Sequence, residues 1–239
     1  MVLVEIIGEP AVGKTHLSLT FPRPFLFDTT PKQEAKVIAR KLLGQEMERR
    51  YMPVKSYPEL VEAVKSVVKR DDVRTVVIDT GADLQGMCVE YETERKHRDR
   101  LLPVEYGRIR EMIDTDITET IIEAEKNLVM TAQMDDEYIN GQKTGRRVPK
   151  GYKRMAFQAD LRIFLYFAPA EGPAAEIDIS PYGLSFAYKP LPAATLKLVR
   201  RAAVIKNRYT DMTETGLIII DNPTAEKIKK LVPPEEWYE

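Results

Sequence analysis

The chain has 239 residues, of which 44% are hydrophobic and 31% are charged, and its formal net charge is −1. This composition suffices for a sizeable core and excludes a general electrostatic attraction to nucleic acid or membranes, although a local basic patch remains compatible with it. Cys88 is the only cysteine, which excludes a disulfide framework and predicts a reducing, cytoplasmic location. We predict no transmembrane segment, no signal peptide and no membrane partner.

The first half of the chain alternates predicted strands with predicted helices. Short apolar runs that end at Gly, Pro or an acid predict buried strands over residues 2–7, 24–28, 73–80 and 128–133. Apolar residues at helical spacing predict helices from His16, over 32–50, after a cap at Ser56, and over 104–126. This alternation predicts an α/β fold whose mostly parallel sheet carries helices on both faces.

The pattern changes after Gln133. Residues 134–154 contain turn residues and charges without an apolar period, so we predict a long exposed loop. An antiparallel C-terminal extension of the sheet is predicted from strands over 160–167, 184–190, 195–208 and 216–221. A short helix over 222–232, capped by Asn222, closes the chain. We expect one domain over 1–239, with an α/β core over 1–168 and a β-rich extension over 169–239.

Residues 8–15 read GEPAVGKT, between a predicted strand and a predicted helix. Main-chain N–H groups of such a loop converge on a phosphate, and glycines let the loop curl around it. In this pattern Lys14 reaches the β- and γ-phosphates and the Thr15 hydroxyl binds Mg²⁺. We therefore predict ATP and Mg²⁺ as ligands; an ordinary strand–helix turn is the alternative. The predicted nucleotide-binding residues are Gly8, Glu9, Pro10, Ala11, Val12, Gly13, Lys14, Thr15 and His16.

A second acidic motif, TVVIDT, ends a β-branched run at Asp79. A phosphate loop needs a magnesium partner at the end of a neighbouring strand. We predict that Asp79 holds the Mg²⁺ together with Thr15, either directly or through water.

These motifs in this order resemble the RecA-like ATPases with a P-loop NTPase core. Within them the chain is similar to the small Sak-type proteins of phages and archaeal viruses, which are associated with single-strand annealing and recombination. The resemblance covers most of the chain and is carried by the two motifs above, by VEYGRIREMI, by LVMTAQ with FQADLRIFLYF, and by VIKNRYT.

The resemblance implies roles for three more residues. Gln133 matches the polar sensor that reads the γ-phosphate, with a polar strand cap as the alternative. Lys206 and Arg208 match a pair that completes the nucleotide site of an adjacent subunit, so a ring or filament is expected. Because i and i+2 on a strand point to one face, both cations are predicted to approach one phosphate group. A solvated edge-strand pair is the alternative.

The chain departs from the family at the residue that polarises the attacking water. The glutamate expected two residues past Asp28 is Thr30 here. Asp28 is our candidate substitute, and Glu34 is the other acid nearby. Hydrolysis is therefore expected to be slow, or nucleotide binding to matter more than turnover.

The segment 141–154 is basic and contains no acid. The resemblance places it behind the γ-phosphate sensor, and we predict that it binds single-stranded DNA, although the sequence does not distinguish DNA from RNA. Tyr152 could stack on a base. The alternative is a mobile, solvated loop. The predicted DNA-binding residues are Lys143, Arg146, Arg147, Lys150, Lys153 and Arg154.

Two other classes of function are compatible with the sequence. A nucleotide-dependent switch or scaffold that binds protein agrees with the near-zero net charge and the missing glutamate. A small-molecule kinase is the third hypothesis, but it would need an arginine-bearing lid and an acceptor pocket.

Overall fold

A computed structural model describes residues 1–169, 176–179, 186–189, 198–210, 212 and 217–237. The strands are β1 Leu3–Gly8, β2 Pro24–Asp28, β3 Tyr51–Pro53, β4 Thr75–Asp79, β5 Asn127–Ile139, β6 Gln142–Pro149, β7 Leu161–Pro169, β8 Glu176–Ile179, β9 Phe186–Lys189, β10 Leu198–Asn207 and β11 Ile218–Asp221. The α-helices are α1 Lys14–Ser18, α2 Lys36–Leu43, α3 Met47–Arg50, α4 Tyr57–Val67, α5 Gly81–Arg95, α6 Tyr106–Ile113, α7 Thr120–Glu123, α8 Met155–Gln158 and α9 Ala225–Lys229. Shorter 3₁₀ turns lie at Gly44–Glu46, Pro103–Glu105 and Pro234–Glu236, and a π-helical turn, Asp114–Glu119, joins α6 to α7.

The central sheet has the order β11-β10-β7-β1-β5-β4-β2-β3. Strands β7, β1, β5, β4, β2 and β3 are parallel, whereas β10 and β11 are antiparallel additions at the β7 edge. Strands β6, β9 and β8 lie off this row and continue from the end of β5. The predicted α/β fold with an antiparallel extension is confirmed.

Helices cover both faces of the parallel part of the sheet, and two of its three apolar clusters lie between the strands and these helices. One core joins Phe25 and Phe27 to Leu60 of α4 and Ile109 of α6. The other joins Leu26 to Leu17 of α1, and includes residues of α2 and α9. The parallel strands are therefore buried on both sides, as their near-continuous apolar runs predict.

One sequence prediction in the first half was wrong, and one helix was missed. The predicted helix 32–50 is broken at Gly44, whose φ is +55°, and Val37 is 78% exposed instead of lying in its apolar stripe. Helix α5 was not predicted, although Thr80 caps it by accepting a hydrogen bond from the Asp83 N–H. Its buried stripe is narrow and ends in Glu92, so the helical period is weak in the sequence.

The predicted loop 134–154 is mostly a β-hairpin. Strand β5 continues past the central sheet to Ile139 and pairs antiparallel with β6, from Met134 opposite Pro149 to Ile139 opposite Gln142. The turn between them is Asn140–Gly141, and both residues have positive φ, as two-residue hairpin turns require. We call residues 134–149 the hairpin; past Met134, which packs in an apolar cluster with Phe164 and Tyr188, its residues are not buried, which explains the lack of an apolar period.

The chain end also differs in detail from the prediction. Thr224, rather than Asn222, caps α9 by accepting a hydrogen bond from the Lys227 N–H. Trp237 packs against Phe21, with 5.4 Å between ring centroids. Of the predicted strands 184–190 and 195–208, residues 184–185, 190 and 195–197 lie outside the described residues.

None of the helices in the described part of the chain has the length and apolar content needed to cross a bilayer. The same residues hold no cluster of three or more His, Cys, Asp or Glu side chains at metal-binding distance.

Candidate nucleotide-binding site

The loop between β1 and α1 is shaped by two glycines. Gly13 has φ +98°, a left-handed conformation that favours glycine. A Cβ on Gly8 would lie 2.7 Å from the Leu165 carbonyl oxygen and 2.8 Å from a methyl carbon of Val12, so only glycine leaves this turn undistorted. Both glycines of the GEPAVGKT motif are therefore required by the backbone that folds around this loop.

The loop presents donors without protein acceptors. Among the described residues, the main-chain N–H groups of Gly13, Lys14, Thr15 and His16 have no hydrogen-bond acceptor, as at the start of any helix. The buried Lys14 ammonium donates to the carbonyl oxygens of Gly8 and Glu9, at 2.9 Å each. Burial lowers the pKa of Lys14, and the carboxylates of Asp79, Glu9 and Glu34 oppose that shift. This donor set suits a bound polyphosphate.

Thr15 and Asp79 meet beside this loop. The Thr15 hydroxyl donates to Oδ2 of Asp79 at 2.5 Å, and the Thr131 hydroxyl donates to Oδ1 of the same carboxylate. Burial raises the pKa of Asp79, and these two hydrogen bonds act in the opposite direction. Hydroxyl and carboxylate oxygens are ligands that Mg²⁺ prefers, so these residues fit a magnesium site next to the phosphates.

The sequence analysis expected Asp79 to lie on a neighbour of β1, but the strand that carries it, β4, is not adjacent to β1. Strand β5 lies between β1 and β4 and pairs with both. This insertion brings Gln133 directly opposite Gly8 in the register of β5 and β1.

Gln133, which pairs with Gly8, also lines a small cleft. The cleft is lined by Thr30, Pro31, Glu34, Ala82, Asp83, Gln133 and Lys150. The Gln133 carbonyl accepts a hydrogen bond of 2.8 Å from the Lys150 N–H, which continues the pairing of β5 and β6 by one residue beyond Met134 and Pro149. Its role as a γ-phosphate sensor remains a prediction.

Asp28 does not occupy a position from which it could polarise water. It is fully buried, and its carboxylate accepts hydrogen bonds from the Thr30 N–H and hydroxyl, the Ala35 N–H and the Tyr51 hydroxyl. The assignment of Asp28 to catalysis is therefore corrected: it folds the loop after β2. Glu34, by contrast, is exposed in the cleft that contains Gln133.

Lys206 and Arg208 lie at the opposite edge of the sheet from the loop of their own chain. Lys206 pairs in register with Arg162, near the start of β7, whereas Gly8 at the end of β1 pairs with Leu165. The two cations lie near one point of that edge, because Lys206 donates to the carbonyl oxygens of Ala156 and Phe157 and Arg208 donates to that of Gln158, although β10 has an irregularity after Val204 and ends before Arg208.

Both side chains have local partners at that edge. Lys206 donates to the carbonyl oxygens of Ala156 and Phe157, and Arg208 forms a 2.6 Å ion pair with Asp160. Burial lowers the pKa of Lys206, and the nearby Arg208 charge adds to that shift. Their predicted role in a neighbouring subunit remains a prediction.

Most of the predicted DNA-binding cations are paired with acids that lie outside the segment 141–154. Their ion pairs are Lys143 with Asp136, Arg146 with Glu137, Arg147 with Asp136 and Glu9, and Arg154 with Asp114. Lys150 and Lys153 are exposed and form no ion pair with the described residues. Tyr152 is buried and donates to Asp114, so its predicted stacking on a base is wrong.

A comparison with known protein families agrees with this geometry. A family model described as AAA domain matches residues 2–172, from β1 past the end of β7. The chain belongs to this AAA domain family. The match supports a P-loop ATPase of the AAA type. No curated protein matches the chain.

One contact in this AAA domain links the phosphate loop to the hairpin. Glu9 of the loop forms a 2.8 Å ion pair with Arg147 of β6 and accepts a hydrogen bond from the Tyr188 hydroxyl. Arg147 also pairs with Asp136 of β5 at 3.1 Å. The sequence placed Glu9 in the loop and Arg147 in a basic segment, but their contact depends on the hairpin that it did not predict.

Sequence reasoning also missed Arg200, which lies outside the family match. Its side chain reaches from β10 to the loop, where Nη1 would lie 2.6 Å from a Cβ placed on Gly13. The only signal was the Arg200–Arg201 pair in a predicted strand, whose alternation sends one arginine to each face.

Proposed function

We propose that this AAA domain binds ATP with Mg²⁺, hydrolyses it slowly and couples the nucleotide to single-stranded DNA in the cytoplasm. Its motifs resemble the Sak-type RecA-like proteins associated with annealing and recombination. The observation that carries the proposal is the meeting of Lys14, Thr15 and Asp79 at a loop whose N–H groups have no acceptor among the described residues.

The chemistry divides among a few side chains. Lys14 and the loop N–H groups hold the phosphates, and Thr15 and Asp79 hold the metal. Mg²⁺, when bound, neutralises the charge of the phosphate oxygens. Glu34 is exposed in the cleft next to Gln133, and a carboxylate there can orient a water and accept its proton. Gln133 donates from its amide to a phosphate oxygen without itself becoming a base.

The neighbouring subunit supplies the remaining cations in this proposal. Lys206 and Arg208 lie at the far edge of the sheet from their own loop, which supports a role in the next subunit of a ring or filament. Cations placed there stabilise charge that develops during phosphoryl transfer.

The hairpin is the proposed DNA-binding element. Lys150 and Lys153 are exposed cations near its base, Lys143 lies near its tip and Arg146 lies midway along β6. Tyr138, 61% exposed, replaces Tyr152 as the aromatic side chain available to a base. The Glu9–Arg147 ion pair supports coupling, because phosphates bound at the loop add negative charge next to that arginine.

A filter-binding titration tests the proposed DNA activity. Labelled single-stranded oligonucleotides are titrated with protein at low salt, with and without ATP and Mg²⁺. We expect ATP-dependent binding that weakens as salt rises, because phosphate contacts release counterions. Binding that is absent in both conditions contradicts the DNA part of the proposal while leaving nucleotide binding intact.

A protein-binding switch is the second candidate. The ion pairs of four predicted DNA-contact cations with Asp136, Glu137, Glu9 and Asp114 favour it, because they reduce the positive field of the hairpin. This candidate predicts ATP binding without any DNA binding, and a protein partner that is retained only with ATP.

A further inference from the structure

The Arg200 side chain lies against the phosphate loop of its own chain. Besides Nη1, its Cδ and Cζ would lie 3.5 and 3.7 Å from a Cβ placed on Gly13, so the guanidinium covers this glycine. Its hydrogen bond within the described residues is long, 3.5 Å from Nη2 to the Pro223 carbonyl oxygen. The guanidinium is half-buried and forms no ion pair with a described carboxylate. Beside it, four N–H groups of the loop have no acceptor among the described residues, so we expect an anion as the partner of both.

The position of Arg200 indicates which part of a nucleotide it would contact. Thr15 and Asp79, which would hold the metal, mark the flank of the loop towards β4. A metal held there would neutralise charge on the terminal phosphates. Arg200 lies on the other flank, because β10 is on the β7 side of β1. A nucleotide with its terminal phosphates towards Asp79 directs its α-phosphate towards Arg200.

We infer that Arg200 binds the α-phosphate side of the nucleotide within its own subunit and positions it for the neighbouring subunit's cations. The inference rests on the proposed nucleotide binding and extends it to a residue beyond the family match. The positive charge of Arg200 also acts on His16: burial is the main cause that lowers the pKa of His16, and the Arg200 charge lowers it further. Arg200 is thus a positioning residue distinct from Lys206 and Arg208.

Arg201 provides a matched control. It is the next residue on β10 and so points to the other face, where Nε donates to the Asp221 carboxylate at 2.7 Å. Replacing Arg201 removes the same charge from the same strand without touching the loop.

Equilibrium binding of ATP and of ADP, each with Mg²⁺, to the wild type, Arg200→Ala, Arg200→Lys and Arg201→Ala tests the inference. We expect Arg200→Ala to weaken both nucleotides about tenfold or more and to flatten the salt dependence of binding. Arg200→Lys should recover part of the loss, and Arg201→Ala should bind as the wild type does. Thermal melting of each variant reports its folding.

Four outcomes would overturn the inference. Unchanged affinity of a folded Arg200→Ala overturns it alone, while the proposed function stands. If Arg200→Ala loses affinity for ATP but not for ADP, the guanidinium contacts the γ-phosphate instead. If Arg201→Ala loses as much affinity as Arg200→Ala, the effect comes from the net charge of the protein and not from a contact with the nucleotide. A wild type that binds neither nucleotide overturns the proposed function as well.

Discussion

At the scale of single residues, two acids near the end of β2 differ in their exposure, and we propose opposite roles for them. Asp28 is buried and accepts four hydrogen bonds, whereas Glu34 is exposed in the cleft beside Gln133. Thr30, which stands where the family's glutamate is expected, turns its hydroxyl towards Asp28 at 2.6 Å. We therefore propose that Glu34, four residues after Thr30, polarises the attacking water.

We predict that Glu34→Gln keeps ATP affinity and lowers turnover by about 10²-fold, because the amide cannot accept a proton. Phosphate release under saturating ATP measures turnover, and equilibrium titration measures affinity. Asp28→Asn is the contrasting variant: it should mainly lower the melting temperature, since it disturbs a buried hydrogen-bond network. Turnover of Glu34→Gln equal to the wild type would contradict the assignment.

The sequence was sufficient for part of the site. Lys14 and Thr15 follow from the spacing of the loop motif, and Asp79 from the end of a strand. The burial of Asp28 and the reach of Arg200 were not predictable, because they depend on which strands become neighbours. The spacing of apolar residues in the sequence indicates whether a segment is a helix or a strand, but it does not indicate which other elements that segment packs against.

At the scale of elements, the hairpin connects the two proposed activities. Its polar side chains pair across the strands, as Lys143 does with Asp136, and its root is joined to the loop through Arg147 and Glu9. The charge of a bound nucleotide and the charge of Glu9 therefore act on the same guanidinium.

We predict that Glu9→Gln reduces the effect of ATP on DNA affinity, so that the ratio of affinities with and without ATP approaches one. Loss of the carboxylate frees Arg147 from its loop partner even without nucleotide. Glu137→Gln is the control, because Glu137 pairs with Arg146 within the hairpin and does not contact the loop. Filter binding with both variants gives the ratios. A ratio in Glu9→Gln as large as in the wild type would exclude this coupling.

The elements themselves were predicted unevenly, for physical reasons. Buried strands such as Thr75–Asp79 and helix α4 carry strong apolar periods and were predicted correctly. The hairpin lacks a buried face, and only its Asn140–Gly141 turn marked it in the sequence. Helix α5 was missed because its buried stripe of Leu84 and Cys88 ends in a charged residue.

At the scale of the whole molecule, the ends of the sheet define two surfaces. The loop and Asp79 lie at the carboxyl edge of the parallel strands, and Lys206 and Arg208 lie at the other edge. A head-to-tail contact between two copies would place the surface with Lys206 and Arg208 of one copy against the phosphate loop of the next. Contacts of this type generate rings or filaments.

We predict that mixing two defective variants restores ATP turnover. Lys14→Ala lacks a working loop but keeps Arg208, and Arg208→Ala keeps its loop but lacks the trans cation. At a mixed interface, the first supplies Arg208 to the loop of the second. Phosphate release from the mixture should exceed the sum of the separate rates severalfold.

The double variant Lys14→Ala, Arg208→Ala is the control partner, since it cannot supply the arginine. Melting temperatures check folding, because Arg208→Ala leaves the buried Asp160 without its ion pair. A mixture no faster than the sum of its parts would place the whole active site within one subunit.

The central claim is that the loop from Gly8 to Thr15 binds the phosphates of Mg²⁺·ATP through main-chain N–H groups and Lys14. Titration calorimetry of ATP into the wild type and Lys14→Ala, with Mg²⁺ or with EDTA, tests it most directly. We predict one site per chain in the wild type, weaker binding in EDTA, and at least about a hundredfold loss in folded Lys14→Ala, because a buried ammonium–phosphate contact is removed. A wild type that binds no ATP, or a Lys14→Ala variant that binds it equally well, would contradict the account.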